Sequence, residues 1–435
     1  MPFMNISRFA AAAAALLFCA ALSAQTNYEE AIREDPERAA GVHHSYEYVP
    51  AAETPAPRGY KPFYVSHYGR HGSRRATSSS AERGFEYMTA AHEAGILTPL
   101  GEELYQAVVR IHDDHVGMVG ELTARGGREH RAIAQRLYER HPRVWRNRRR
   151  TQVHVQSSNI PRCLVSMANF TSSLDDCAPR LVFDFVSGDK YLDLMAHDYY
   201  DDDAISAASS ALLKKMAFEL FDSSRFLQSI FNVDAARVGE LVTDPWNIVY
   251  QVFLTGGIRQ CTETENAEIF GRFFTIEELI TLYRCYNSRV YHSMGNAAEF
   301  SANHLWAACG LLRDFIDRTD AALEKNSPTA ADLRFGHDSG ILPLAGLMDL
   351  VGPGDCVPAE QASDSWQSYR RVPMGSNLQL VFFKKKRGEP LVKIYYNEEE
   401  TLVRGLEPVQ GPYYSWSALK AHFQQRIDTY EHYFD

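Results

Sequence analysis

The first feature of the sequence that could do chemistry is a histidine between two arginines, in the run Arg70-His71-Gly72-Ser73-Arg74. Guanidinium groups present planar forks of donors that match phosphate oxygens, and a neutral, oriented imidazole can attack as a nucleophile. Phosphoryl transfer depends mainly on such charge neutralisation and positioning. The run directly follows a strand-like segment, residues 61–66. The alternative to a functional site is a surface turn in which the arginines are incidental. We therefore expect His71 to be a phosphate nucleophile held between Arg70 and Arg74.

A second histidine, His337, stands beside Asp338 between a strand pattern at residues 332–336 and an apolar helix pattern. The N-terminus of a helix favours anions, so His337 could donate to a phosphate oxygen. A carboxylic acid in this place could protonate a leaving alkoxide. A His-Asp pair alone is weak evidence for a catalytic site. The presence of the Arg70 to Arg74 run in the same chain strengthens this interpretation. Arg162 also follows a strand pattern, residues 151–156, but could equally be a surface residue at a helix start.

The elements that would position these residues alternate between strands and helices at both ends of the chain. Strand–loop–helix patterns carry all three candidate segments, and the stretch between them is mostly helical in its apolar spacing. The chain has 435 residues, more than a single hydrophobic core usually holds. The pattern predicts an α/β core formed by residues 25–180 and 326–435, with an inserted α-helical cap at residues 181–325.

The N-terminus has the layout of a cleaved secretory signal peptide. Arg8 precedes an apolar run at residues 9–22, and the small residues Ser23 and Ala24 follow it. The run is short for a membrane span. We predict a signal peptide at residues 1–24, a secreted or periplasmic location, and no membrane association after cleavage.

Six cysteines follow the predicted signal peptide, an even number that permits disulfides in an exported protein. Cys261 and Cys285 are close enough in sequence to pair, although buried free thiols are an equal alternative. The absence of a C-x-x-C pair argues against a structural zinc site. The net charge of −10 argues against a nucleic-acid partner, while clustered arginines can still attract a small anion. We expect the pair His43-His44 on the surface.

Taken together, the motifs resemble those of the acid-phosphatase and phytase branch of the histidine phosphatase superfamily. The resemblance extends over residues 60–383 and is weakest in the expected cap. The motifs that carry it occur in the family's order: Arg70-His71-Gly72-x-Arg74, Leu122-Thr123-x-x-Gly126-x-x-x-His130, Ser158-x-x-x-Arg162 and Phe335-Gly336-His337-Asp338.

This resemblance implies a phosphoglycerate-mutase-like α/β fold, in which helices flank a central, mostly parallel sheet and an α-helical cap is inserted. It implies that His71 forms a phosphohistidine, that Asp338 is the proton donor, and that neither a metal nor another cofactor is needed. The residues implied to hold the phosphate are Arg70, Arg74, Arg162 and His337. Further candidate substrate contacts in the same loop are Ser73, Arg75 and Thr77.

Two details favour the subgroup of multiple inositol polyphosphate phosphatases. One is Arg162-Cys163, and the other is the continuation of Phe335-Gly336-His337 to Leu342-Pro343-Leu344, with Ser376-Asn377-Leu378 further on. Two others depart from it, because His337-Asp338-Ser339 replaces the subgroup's His-Ala-Glu and Ala76 replaces the family's usual Pro. We expect a phosphatase for inositol polyphosphates such as phytate. The alternatives are a broad-specificity acid phosphatase or sugar phosphatase, a phosphotransferase or mutase, and a non-catalytic phosphate-binding protein.

Overall fold

The computed structural model describes residues 27–195 and 201–435. The predicted signal peptide and Cys19 lie outside the described residues. Within them the fold is α/β, with a central sheet flanked by helices, and this part of the sequence prediction is confirmed.

Eight strands of the described residues form one sheet in the order β3-β2-β4-β1-β5-β6-β7, and β8 also pairs with β6. The strands are β1 (Lys61–Arg70), β2 (Gln152–Ser157), β3 (Val182–Ser187), β4 (Thr329–Gly336), β5 (Asn377–Lys384), β6 (Leu391–Tyr396), β7 (Glu399–Thr401) and β8 (Tyr413–Ser415).

Half of this sheet is parallel and half is antiparallel. The pairs β3–β2, β2–β4 and β4–β1 are parallel, whereas β5 runs antiparallel to both β1 and β6. The sheet is therefore more mixed than the expected mostly parallel one. The reason is the short connection between β5 and β6, which contains no crossover helix and can join only antiparallel neighbours.

The helices of the described residues are α1 (Tyr28–Glu34), α2 (Ser78–Glu93), α3 (Pro99–His115), α4 (Ala124–Arg140), α5 (Pro142–Trp145), α6 (Pro161–Cys177), α7 (Asp189–Met195), α8 (Asp202–Leu220), α9 (Ser224–Ile230), α10 (Ala235–Leu241), α11 (Pro245–Thr262), α12 (Ile276–Met294), α13 (Ser301–Ala307), α14 (Cys309–Leu323), α15 (Asp338–Leu347), α16 (Ala362–Ser365), α17 (Ser368–Arg371) and α18 (Trp416–Tyr430). Two 3-10 helices span Pro36–His43 and Ala359–Gln361.

Both faces of the central strands are covered by apolar side chains, as expected for parallel strands with helices on either side. Val65, Val155 and Phe335 on one face join a core that includes Ile133 of α4 and Phe170 of α6. On the other face, the core contains side chains from β1, β5, α14, α15 and α18, among them Tyr64, Tyr68, Leu380, Phe382, Leu312, Leu344 and Phe423. Burial on both faces holds the central strands, and therefore their ends, in fixed positions.

The stretch that the sequence assigns to a helical cap begins with a strand. β3 pairs with β2 in parallel and forms the edge of the main sheet, so the expectation of mostly helical structure is wrong at residues 182–187. Helices α8 to α12 follow, and α12 packs against both α8 and the 3-10 helix Pro36–His43. The division into core and cap is otherwise a prediction.

All six cysteines in the described part of the chain are free thiols, so the considered pairing of Cys261 with Cys285 is wrong. Both side chains are buried in the helical part of the molecule. None of the helices in the described ranges is both long enough and apolar enough to cross a membrane.

Candidate active site

The candidate site lies where three parallel strands end side by side. Arg70 at the end of β1 is in register with Gly336 of β4, and Phe335 is in register with Ser157 of β2. Backbone hydrogen bonds continue past the strands, from His71 N to the Gly336 carbonyl at 2.9 Å and from Ser158 N to the Phe335 carbonyl at 3.1 Å. The register therefore places the segments after β1, β2 and β4 next to one another.

His71 is buried and is held by its own loop. Its Nδ1 lies 3.0 Å from the carbonyl oxygen of Gly72. Because a carbonyl only accepts hydrogen bonds, Nδ1 carries the proton and Nε2 keeps a free lone pair. Burial lowers the pKa of His71 well below its usual value, and the charges of Arg70 and Arg162 lower it further. The ring is therefore neutral and has the form that a nucleophilic nitrogen requires.

The loop that carries His71 is packed tightly against the start of α4. Ser73 donates through N and Oγ to the carboxylate of Glu129, both at 2.7 Å, and Gly72 N donates to Ser166 Oγ at 3.1 Å. A Cβ at Gly72 would lie 2.6 Å from the carbonyl oxygen of Gly126. These contacts hold the backbone on both sides of His71 in place.

Two arginines provide guanidinium groups with unused donors. The Nε atoms of Arg74 and Arg162 are buried and have no hydrogen-bond partner among the described residues. Arg74 is charged at neutral pH, although burial and the charge of Arg162 lower its pKa to about 10. Arg162 lies at the start of α6, with Nη2 3.4 Å from His337 Nδ1. Unsatisfied cationic donors that converge on a neutral imidazole form a cradle suited to an oxyanion.

Arg70 differs from these two because its side chain is fully buried and both of its terminal nitrogens are hydrogen-bonded, while its Nε, like theirs, has no partner among the described residues. Nη1 donates to the carbonyls of Val42 and Val372, at 2.8 and 2.6 Å, and Nη2 donates to Asp338 Oδ2 at 2.7 Å. Its role in the free protein is therefore to anchor the proposed proton donor.

His337 caps the N-terminus of α15 and faces His71, with ring centroids 5.7 Å apart. Its Nε2 lies 3.0 Å from Ser158 Oγ. The hydroxyl of Tyr68 accepts from His337 N at 2.9 Å and donates to the Met195 carbonyl at 2.8 Å. Burial, followed by the charge of Arg162, lowers the pKa of His337 to about 4, so the ring is neutral near pH 7.

Asp338 is the first residue of α15 and is ionised in the free protein. Burial alone would raise the pKa of its carboxyl group, but Arg70, Arg74 and His337 outweigh burial and bring the pKa down to about 2. Its Oδ1 also accepts from Ser339 N at 3.1 Å. The carboxylate is thus held at a helix N-terminus by fixed positive charge.

The structure brings six of the predicted site residues together: His71, Arg70, Arg74, Arg162, His337 and Asp338. The three further candidates behave differently. The hydroxyl of Ser73 is buried on Glu129, and Arg75 forms a bidentate pair with Asp114 at 2.8 and 3.1 Å. Neither side chain is available to a substrate in this arrangement. Thr77 is exposed, and a Cβ at Gly120 would lie 3.8 Å from both its methyl group and Arg162 Nη1.

Sequence analysis placed His43 and His44 on the surface, and this is wrong. His44 is 5% exposed, and His43 is half-buried with its Nδ1 unpartnered among the described residues. The ring of His43 stacks on Tyr286 of α12. Glu129 and Tyr68 were also missed. Glu129 lies inside the quoted motif Leu122 to His130, which marked the segment but not that residue.

No group of three or more histidine, cysteine or acidic side chains in the described ranges is arranged to hold a metal ion. The charges that could neutralise a phosphate here come from the arginines.

No protein-family model and no curated protein matches the sequence, but solved structures match the fold. A Bifidobacterium longum multiple inositol polyphosphate phosphatase, solved in complex with inositol hexasulfate, superposes with a TM-score of 0.76 at 19% identity, over 88% of this chain and 97% of that one. The phytase from D. castellii gives a TM-score of 0.64 at 14% identity, over 90% and 85% of the two chains.

The Hafnia alvei phytase in complex with myo-inositol hexakis sulphate gives a TM-score of 0.53 at 13% identity, over 86% of this chain and 98% of that one. Similarity at this level of identity concerns the fold. The chain therefore has the fold of multiple inositol polyphosphate phosphatases and phytases, and the resemblance inferred from its motifs is confirmed at the level of the fold.

Proposed function

We propose that the chain is a phosphomonoesterase that works through a phosphohistidine on His71. The observation that carries this proposal is the buried neutral ring whose proton is fixed on Nδ1, with the charged groups of Arg74 and Arg162 beside it. A neutral nucleophile surrounded by fixed positive charge is the arrangement that in-line phosphoryl transfer requires.

In the first step His71 Nε2 attacks phosphorus, a P–N bond forms and the P–O bond to the leaving group breaks. Asp338 gives its proton to the departing alkoxide oxygen. In the second step water attacks phosphorus, the P–N bond breaks and Asp338 takes a proton from the water. Inorganic phosphate and an alcohol are the products, and both the histidine and the acid return to their starting states.

The positive charges around Asp338 determine when its carboxyl group can carry a proton. In the free protein the nearby positive charges hold its pKa at about 2. A dianionic phosphate bound to Arg74 and Arg162 would neutralise part of this positive charge, which raises the pKa of a neighbouring carboxyl group. Substrate binding would therefore prepare the proton donor, and we propose that activity is greatest at mildly acidic pH.

The substrates that we propose are inositol polyphosphates such as phytate. Support comes from the net positive charge of the site and from the fold, which is shared with a multiple inositol polyphosphate phosphatase and with phytases. Two of the similar proteins were solved with a hexasulfated inositol bound. We further propose a secreted or periplasmic location, on the basis of the apolar run at residues 9–22.

The decisive experiment measures phosphate release from phytate by the purified protein and by His71→Ala. We expect release by the wild type and background rates for the variant, while His432→Ala, which replaces an exposed histidine far along the chain, retains wild-type rates. Radiolabelled substrate should leave an acid-labile phosphoryl group on the wild type only. Transfer of the label to an acceptor alcohol without phosphate release would instead indicate a phosphotransferase, and full activity in His71→Ala would contradict the proposal.

A further inference from the structure

The loop that carries Arg74 is held by the end of α3 as well as by the start of α4. Beyond Arg74, Arg75 N donates to the Glu121 carbonyl at 3.0 Å, and the Ala76 carbonyl accepts from Gly120 N at 2.9 Å. These two bonds join the loop to the turn between α3 and α4. They do not involve the peptide group between Arg75 and Ala76, whose carbonyl and N–H have other partners.

This peptide group connects a side chain of the reacting site with α3. Its carbonyl, on Arg75, accepts from Arg74 Nη1 at 2.9 Å. Its N–H, on Ala76, donates to His115 Nε2 at 2.9 Å. Because a peptide group is planar and rigid, a partner that fixes the direction of the N–H also fixes the direction of the carbonyl. His115 therefore sets the direction of the acceptor to which the Arg74 guanidinium is bound.

The ring of His115 is itself held in one orientation and one protonation state. His115 is the last residue of α3 and is 1% exposed. Its Nδ1 lies 2.5 Å from the carbonyl oxygen of Ile111. Since a carbonyl only accepts hydrogen bonds, Nδ1 carries the proton and Nε2 offers its lone pair to Ala76 N. Burial lowers the pKa of His115, against the effects of the bond to Ile111 and the charge of Asp114, and so favours this neutral ring.

We propose that His115 is a positioning residue for Arg74, which acts through the peptide group between Arg75 and Ala76. Three hydrogen bonds run in series from the guanidinium to the Ile111 carbonyl, with every donor pointing the same way, so that each bond polarises the next. This inference rests on the proposed function, in which Arg74 holds the reacting phosphate. It adds a buried residue of α3 that contacts no reacting atom.

The test exchanges His115 for two amides of different length. In His115→Asn the amide lies near the place of Nδ1, where it can still bond to Ile111 but is too short to accept from Ala76 N. In His115→Gln the longer side chain places its oxygen near the position of Nε2. We expect kcat/KM for para-nitrophenyl phosphate to fall by about tenfold in His115→Asn and to recover largely in His115→Gln.

The matched control is His112→Asn, three residues earlier on α3. The His112 ring stacks on Phe85 of α2, with centroids 3.8 Å apart, and should not affect the Arg74 loop. We expect this variant to retain the wild-type kcat/KM. A wild-type value in His115→Asn as well would overturn the positioning role.

A second background separates positioning of Arg74 from a general structural role. In Arg74→Ala the carbonyl of Arg75 has no guanidinium to orient, so the further change His115→Asn should leave kcat/KM unaltered. A fall by the same factor in both backgrounds would overturn the proposal, because His115 would then act without Arg74. Both adverse results leave the proposed function intact, since they require an active wild type. A wild type that releases no phosphate from any phosphomonoester would refute the proposed function itself.

A measurement on the wild type tests the same arrangement independently of whether His115→Asn folds. In protein labelled with 15N-histidine, the ring resonances that are absent from His115→Gln belong to His115. We expect their 15N shifts at pH 7 to be those of a neutral ring with the proton on Nδ1. A proton on Nε2, or a charged ring, would leave Ala76 N without an acceptor and would overturn the proposal.

Discussion

At the scale of single residues, Asp338 combines two properties that usually exclude one another. It must deliver a proton, yet in the free protein its pKa is about 2 because Arg70 and Arg74 outweigh the effect of burial. Its usefulness as an acid therefore depends on the charge of the bound phosphate and on the leaving group. A leaving group that departs as a stable anion has little need of the proton.

This dependence predicts the behaviour of Asp338→Asn. We expect phosphorylation of the enzyme by a sugar phosphate to slow by about 100- to 10,000-fold, the usual contribution of a general acid. Para-nitrophenyl phosphate should instead give a rapid burst of nitrophenol close to one equivalent, because its leaving group needs no proton while the second step lacks its base. Stopped-flow absorbance measures the burst, and Asp428→Asn at an exposed position is the matched control. If phosphorylation of the enzyme slowed equally with both substrates, the assignment of Asp338 as the general acid would be contradicted.

The site residues that the sequence places together share one property: each lies at the end of a strand or in the loop and helix start that follow it. The positions of His71, Arg162 and His337 follow from strand–loop–helix patterns, since parallel strands end at one edge of a sheet. His43 could not be found in this way, because its ring becomes buried only when α12 packs against the 3-10 helix Pro36–His43. The same holds for Arg75, whose partner Asp114 lies on α3 and removes it from the site.

At the scale of elements, the contact between the His71 loop and α4 determines where Arg74 lies. The Ser73 carbonyl accepts from Thr123 N at 2.9 Å and from Thr123 Oγ1 at 3.0 Å. A Cβ at Gly126 would lie only 2.2 Å from the same carbonyl. Backbone meets backbone here, so a side chain cannot be accommodated by a change of rotamer.

We therefore expect Gly126→Ala to push the loop away from α4. The free energy of unfolding should fall by about 1–3 kcal/mol, and kcat/KM should fall by up to about 100-fold because Arg74 is displaced. Urea unfolding and steady-state kinetics measure the two effects. The control is Gly310→Ala in α14, where a Cβ would lie 3.9 Å from Leu194 Cδ1 and helix propensity favours alanine. Wild-type kinetics in Gly126→Ala would show that the close contact does not position the site.

The prediction of elements missed β3, which lies within the range that the sequence assigned to a helical cap. The segment of β3 contains two aromatic and two β-branched residues, types that favour strands. It is, however, short and stands at the sheet edge with Val182 and Phe185 exposed, so its apolar pattern does not resemble that of the buried strands. What identifies it is the pairing with β2, a contact about thirty residues away that no local pattern contains.

At the scale of the whole molecule, the fold buries many histidines in the neutral form. Burial is the main cause that lowers their pKa values, to about 3 for His67 and His141 and to about 4 for His130 and His304. In the unfolded chain a histidine titrates near pH 6.5. Between pH 6.5 and about 4, the unfolded state therefore binds more protons than the folded state, and stability must fall as the pH falls.

Two buried carboxyl groups act in the opposite direction, because burial raises the pKa values of Glu37 and Glu129 and the folded state gains protons there first. The buried histidines are more numerous than these carboxyl groups, and their effect on the stability of the fold begins at a higher pH. Each contributes up to about 1.4 kcal/mol per pH unit once its unfolded form is protonated. The pH range in which the proposed acid is most easily protonated is thus also one in which the fold is weakened.

We expect the free energy of unfolding, measured in urea, to decrease continuously from pH 7 to pH 5. The variant His67→Leu should show a shallower decrease, by up to about 1.4 kcal/mol per pH unit, because it removes one buried titrating ring that packs between Phe170 and Phe335. His432→Gln, at an exposed position, should follow the wild-type slope. Constant or rising stability toward pH 5 would mean that the buried histidines are protonated in the folded protein, and the neutral state assigned to them would be wrong.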